Sequence, residues 1–211
     1  MMYFLCSSIV WLYAKIFYRH KVYGKSHVPK GGGIITPNHT SFLDPPLVGI
    51  SCPTKIHFLA RDTLFQKRFL GWLIPKLNSH PVKRQKGNVQ AMRTVIDLVG
   101  KEEKVLIFPE GRRSPDGKFL SGQLGVGMLV QRTGCNVIPV YIHGTHAVWP
   151  VGKKFFKLFG KTAAVFGSPL TFSQVSVEDK KAAQAQIVET IMDRIKELKA
   201  WYLNGAKGTP P

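Results

Sequence analysis

The segment Asn38-His39-Thr40-Ser41-Phe42-Leu43-Asp44 sets a histidine five residues ahead of an aspartate, just past the apolar run Gly33-Ile34-Ile35-Thr36. A neutral imidazole can accept a proton near pH 7, and it does so better when a carboxylate holds its other ring nitrogen. On a regular helix five residues turn through roughly 500°, which leaves the two side chains about 140° apart. A turn is therefore needed to join them. Pro37 and Asn38 favour irregular backbone, and Pro45 and Pro46 bias Asp44 away from helical geometry. Taken alone, His39 equally suits a histidine that hydrogen-bonds its own loop. A second segment, Phe108-Pro109-Glu110-Gly111-Arg112-Arg113-Ser114, follows another apolar run. Arginine matches phosphate with a planar fork of donors, and Gly111 lets backbone approach a ligand closely. Glu110 could pair with an arginine or hold a substrate hydroxyl, while Ser114-Pro115-Asp116-Gly117 reads as a turn. Together the two segments point to proton abstraction from the hydroxyl of an anionic substrate.

Other chemistries fit less well. Ser41 lies near His39, but no Gly-x-Ser-x-Gly nucleophile elbow is present. The three cysteines, Cys6, Cys52 and Cys135, are odd in number and widely spaced, which argues against a disulfide framework and for a reducing compartment. Neither Cys52 nor Cys135 has a basic neighbour that would mark an activated thiolate. His143 and His146, with His39, His57 and Asp44, form no HExxH or Cys-His pattern, so no metal is expected. His143 and His146 read as local hydrogen-bonding residues near the rim of a site.

The charge balance is extreme. Thirty Lys+Arg against 12 Asp+Glu give a formal charge of +18, which attracts polyanions, either nucleic acid or an anionic membrane surface. No helix-turn-helix, RNA-recognition or zinc-finger signature supports a specific nucleic-acid partner. The first 14 residues carry no charge and are rich in aromatics; Lys15, Arg19, Lys21, Lys25 and Lys30 follow, with no acid before Asp44. A secretory signal would place its positive charge ahead of the apolar stretch. The run is short of the ~20 residues a spanning helix needs. It suits an interfacial helix with its basic flank on lipid headgroups, a packed helix, or a tilted span with the flank facing the cytoplasm.

These segments must be held by a framework. At 211 residues with 44% hydrophobic content, the chain suits one domain with a substantial core. Short β-branched or aromatic runs predict strands at Ile34–Thr36, Ile56–Ala60, Val105–Phe108, Val137–Ile142 and Ala163–Phe166. Val89, Met92, Ile96 and Val99 fall at helical spacing, and Gly100 stops the pattern. A helix is expected over Gln123–Arg132, where Gly125 and Gly127 mark a close backbone approach. Ser176 with Asp179 suggests a capping box for a last helix whose stripe is Ile187, Ile191, Ile195, Leu198 and Tyr202. Alternating strands and helices predict a single α/β domain, a largely parallel mixed sheet flanked by helices, plus an N-terminal membrane-associating helix. The boundaries expected are 1–22 for the membrane-associating segment, 23–204 for the domain and 205–211 for a frayed tail. Both polar segments follow apolar runs, so both suit the carboxyl edge of such a sheet.

Four blocks in order resemble the HxxxxD-type glycerolipid acyltransferases, typified by 1-acyl-glycerol-3-phosphate (lysophosphatidic acid) acyltransferase. They are Asn38–Asp44, His80-Pro81-Val82-Lys83-Arg84, Phe108–Ser114 (resembling FPEGTRS) and Val137-Ile138-Pro139-Val140. Arg112 stands where that family usually has threonine, and His80-Pro81 where it often has a small or aliphatic pair. The resemblance implies that His39 is the general base and Asp44 its orienting partner. It implies that Arg84 and Arg113 bind phosphate, with Arg112 adding charge there, and that Glu110 and Gly111 shape the acceptor site. It implies acyl transfer from acyl-CoA or acyl-carrier protein to lysophosphatidic acid, with no metal, no bound cofactor and no covalent acyl-enzyme. Glycerol-3-phosphate or another lysophospholipid is the alternative acceptor. The expected location is the cytoplasmic face of the cell membrane, peripheral rather than spanning.

Overall fold

A computed structural model describes residues 2–83, 89–172 and 179–211. The chain opens with helix α1 (Met2–Phe17), strand β1 (Lys21–Tyr23), strand β2 (Gly33–Pro37) and helix α2 (Asp44–Ser51). Strand β3 (Ile56–Arg61) leads into the short helices α3 (Asp62–Phe65) and α4 (Arg68–Leu73), then strand β4 (Ser79–Val82) and helix α5 (Val89–Gly100). Strand β5 (Lys104–Leu106), helix α6 (Leu124–Thr133), strand β6 (Asn136–His143) and the turn α7 (Thr145–Val148) follow. Strand β7 (Ala163–Phe166) and helix α8 (Lys180–Leu203) complete it.

The strands form one seven-stranded sheet in the order β1-β7-β6-β2-β5-β3-β4. Strands β2 to β6 run parallel; β7 pairs antiparallel with β6 and parallel with β1. The single α/β domain with a largely parallel mixed sheet is thus the architecture present. Period-two alternation splits each central strand between two layers. Ile35, Leu106 and Ile138 face Ala14, Tyr18, Leu47 and Val48 of the α1–α2 layer. Ile34, Val105 and Val137 face the layer of α5, α6 and α8. The stripe Ile187, Ile191, Ile195 and Leu198 is buried as its spacing predicts. Gly127 lets α6 pack on α8, since a Cβ there would lie 2.3 Å from the Gln184 carbonyl oxygen. Gly125, by contrast, has open space around its Cβ position, so only one of the two glycines marks a close approach.

Several expectations change. Lys21 and Val22 belong to the sheet, so the N-terminal segment ends before residue 22. Asp44 opens α2 rather than standing outside it. Pro45 and Pro46 fill the first turn, where a missing N–H costs nothing. Residues 205–211 are pinned, not frayed: Ser168 N–H donates to the Pro211 carbonyl at 3.0 Å, Trp201 Nε1 to Lys207 O at 3.0 Å, and Pro210 is buried. The capping partner Ser176 lies outside the described residues; Asp179 itself caps α8, accepting from Lys181 N and Ala182 N. No helix among the described residues is long and apolar enough to cross a membrane.

One buried group makes stability pH-dependent. His20 sits between Thr162 Oγ1 and Ser51 Oγ, each at 2.8 Å. Burial, aided by the nearby charges of Lys15 and Lys25, pushes its pKa down to about 4. The folded state therefore holds His20 neutral while the unfolded chain protonates below its ordinary value near ~6.5. Stability is fully present above ~6.5 and falls as pH drops toward 4, by an amount of order 3 kcal/mol. Urea unfolding at pH 7 and pH ~4.5 should show this slope, and His20→Gln, which cannot titrate, should lack it.

Candidate active site

The carboxyl edge of the parallel strands carries the site. His39 leaves β2, Arg61 ends β3, the Phe108–Arg113 loop leaves β5, and Thr145 follows β6. The chain between His39 and Asp44 makes the turn that the five-residue spacing demands. Asp44 is fully buried, and its Oδ2 accepts from His39 Nδ1 at 2.9 Å, Thr40 N at 2.6 Å and Ser41 N at 2.7 Å. A carboxylate oxygen only accepts, so Nδ1 carries the hydrogen and the Nε2 lone pair is left to take a proton. The His39 side chain remains 15% exposed, and its ring stacks on Phe108 with centroids 3.6 Å apart. Imidazole and carboxylate are thereby fixed in one geometry.

Glu110 is buried and pairs with no arginine among the described residues. Its buried Oε1 accepts from His39 N at 2.8 Å and its Oε2 from Leu120 N at 2.9 Å. Burial raises its pKa, opposed by these two backbone bonds and reinforced by the nearby Asp44 charge. Ser114 N in turn donates to His39 O at 2.8 Å. Glu110 is thus a brace tying the β2 turn to the β5 loop, and it shapes the site by holding His39. Glu110→Gln would set an amide NH2 against a backbone N–H that has no other acceptor. Leaving such a donor unmet costs about 1–3 kcal/mol. A thermal midpoint lowered by roughly 2–12 °C, with kcat reduced more than acceptor KM changes, is expected. A variant with unaltered midpoint and kcat would rule the brace out.

The arginines divide. Arg112 is exposed, whereas Arg113 is partly buried with its guanidinium 3.5 Å from the Phe42 ring centroid. Its Nη1 is buried and has no hydrogen-bond partner among the described residues. Burial lowers the Arg113 pKa, the like charge of Arg61 lowers it further, and Asp44 opposes. A guanidinium so placed stays charged and has donors to give to an incoming anion. Arg61 is the residue that sequence reasoning missed. Only its place at the end of an apolar run, the same signal that marked His39, could have flagged it. Arg84 lies outside the described residues. Gly111 is required by its backbone, with φ +67°, where its N–H closes a turn onto Phe108 O at 3.0 Å.

Other nucleophiles are accounted for. Ser41 Oγ donates to Trp149 O at 2.8 Å and accepts from Leu43 N at 3.1 Å, so it is not poised on His39. Burial raises the thiol pKa of both Cys52 and Cys135. His143 Nδ1 bonds Tyr141 OH at 3.1 Å, His57 Nδ1 meets His80 Nε2 at 2.9 Å, and His146 packs beside Gly117. None of these joins His39. No group of metal-ligating side chains occurs among the described residues.

A sequence model of the family described as Acyltransferase matches residues 19–143. The chain is 28% identical over 200 residues to the 1-acyl-sn-glycerol-3-phosphate acyltransferase of Bacillus subtilis, covering 94% of this chain and 97% of that one. It is 26% identical over 179 residues to a chloroplastic 1-acyl-sn-glycerol-3-phosphate acyltransferase of Arabidopsis thaliana, covering 83% of this chain but half (50%) of the plant protein. The crystal structure of the 1-acyl-sn-glycerophosphate (LPA) acyltransferase from Thermotoga maritima superposes with a TM-score of 0.70 at 28% identity, covering 87% of this chain and 75% of that one.

Proposed function

The chain belongs to the Acyltransferase family, and on that premise we propose that it transfers a fatty acyl group from acyl-CoA or acyl-carrier protein to the sn-2 hydroxyl of 1-acyl-glycerol-3-phosphate. The observation that carries the mechanism is the His39 Nδ1–Asp44 Oδ2 pair at 2.9 Å. His39 Nε2 removes the hydroxyl proton as the substrate oxygen attacks the thioester carbonyl carbon. The imidazolium that forms is stabilised by Asp44. The tetrahedral oxyanion then collapses, the carbon–sulfur bond breaks, and the leaving thiolate takes the proton back from His39. Phosphatidic acid and free thiol are the products, and no covalent acyl-enzyme is needed, in keeping with Ser41 facing Trp149. The amides of His39, Thr40 and Ser41 are committed to Glu110 and Asp44, so oxyanion donors must come from other groups. Arg113 supplies fixed positive charge for the acceptor phosphate, with Arg84 and Arg112 as further candidates and Arg61 adding to the local field. No metal or bound cofactor enters these steps.

The protein acts, on this reading, at the cytoplasmic face of the cell membrane as a peripheral protein. Support comes from α1, whose outer stripe Leu5, Ile9, Leu12 and Ile16 is more than half exposed while its other face packs on the core. The test is a thiol-release assay in detergent micelles with lysophosphatidic acid and each donor in turn, with the lipid product identified. Thiol release coupled to phosphatidic acid is the expected result. Faster turnover of glycerol-3-phosphate or of a lysolipid with another headgroup would reassign the acceptor. Silence with both donors and all acceptors would overturn the reading.

A further inference from the structure

The loop between α7 and β7 carries Lys153-Lys154-Phe155-Phe156-Lys157-Leu158-Phe159-Gly160-Lys161, four lysines interleaved with four large apolar side chains and no acid. Phe155 is 77% exposed, Phe159 69% and Leu158 59%. Such side chains in water forgo the burial that folding normally gives them, so their outward placement needs a reason. The loop is held in place. Trp149 Nε1 donates to Lys153 O at 2.9 Å, Lys157 N to Val148 O at 2.9 Å, Tyr18 OH to Lys157 O at 3.3 Å and Gly160 N to Phe17 O at 3.1 Å. The backbone is tied down while the side chains point out.

Two contacts give this loop its direction. Phe159 lies 5.7 Å from Phe17, which joins it to α1 and its exposed stripe. Phe156 lies 5.4 Å from Trp149, Trp149 5.2 Å from Phe42, and Phe42 stacks on Arg113, which joins it to the site. One apolar, lysine-studded surface therefore runs from α1 past the loop to the mouth of the site.

We propose that residues 153–161 are a second membrane anchor that seats on an anionic phospholipid surface and sets the Arg113 side of the site against it. Lysine interleaved with phenylalanine suits that occupant: rings enter the headgroup boundary and ammonium groups meet lipid phosphates. A second copy of this chain is a poor fit, because each copy carries a formal charge of +18 and the loop itself is wholly basic. The proposal rests on the acyltransferase reading only for its purpose; the binding it asserts stands on the loop's own composition and exposure.

The test uses the full chain with vesicles of phosphatidylcholine alone or with 30% phosphatidylglycerol, comparing Phe155→Ser/Phe159→Ser and Lys153→Gln/Lys154→Gln/Lys157→Gln with the parent. Flotation should show parent binding strongest on the anionic vesicles, and each variant weakened about tenfold or more at an unchanged thermal midpoint. Turnover of vesicle-embedded lysolipid should fall in parallel. Turnover of a short-chain acceptor below its micelle concentration should not. Variants that bind vesicles like the parent, or parent binding indifferent to phosphatidylglycerol, overturn the anchor. So does a loop substitution that spares vesicle binding but turns a dimer into a monomer, which assigns the loop to contact between copies. Should no acceptor be turned over at all, the proposed function fails while flotation still decides the anchor.

Discussion

His39→Ala should lower kcat/KM by about a thousandfold, a loss of roughly 4 kcal/mol of transition-state stabilisation. A positioned general base typically contributes 10²–10⁴-fold. Ser41 faces Trp149, and His143, His57 and His80 are bonded to other side chains. The fold should survive. His39 is partly exposed, and its backbone, not its ring, holds Glu110 and Ser114. Asp44 keeps its bonds from Thr40 N and Ser41 N in the variant. Single-turnover acyl transfer, with circular dichroism as the control, reads both parts. A variant within tenfold of the parent would remove His39 from the chemistry.

Arg113→Ala should raise the acceptor KM by about 10–100-fold and leave the donor KM nearly unchanged. A hydrogen bond to a charged group contributes about 1.5–3 kcal/mol, and the unpartnered buried Nη1 is the donor placed to make one. The discriminating arm is a monoacylglycerol, which lacks the phosphate. On that acceptor parent and variant should be nearly equal if Arg113 works through phosphate. Arg113→Lys should rescue only partly, since an ammonium keeps the charge but loses the fork and the stack on Phe42. An equal loss on phosphorylated and neutral acceptors would instead mark Arg113 as a support for Phe42 and the site wall.

Local composition was enough for much of this protein. Five strands were legible because β-branched and aromatic residues there fall in short apolar stretches mostly bounded by Gly, Pro or Lys. The α8 stripe was legible because it repeats at helical spacing. The His39–Asp44 pairing was legible in part, since a spacing of five excludes a straight helix and calls for a turn. What the sequence could not give were decisions made between distant segments. Strand β4 contains Pro81, which argues against a strand until one sees that β4 lies at the sheet edge. Strand β1 is three residues long and exists because β7 offers a partner. The reversal of β7 against β6 leaves no mark on either strand's alternation. Glu110 suited an arginine partner or a substrate hydroxyl, and the approach of the β2 turn and Leu120 ties it to two backbone N–H groups instead. Arg61 reaches the same sheet edge as the Phe108–Arg113 loop because β3 pairs parallel with β5, which no local pattern announces. Spacing and side-chain chemistry act over a few residues and are written in the chain. Which carboxylate meets which backbone N–H, and which charges share one field, depends on contacts that close only when the sheet assembles.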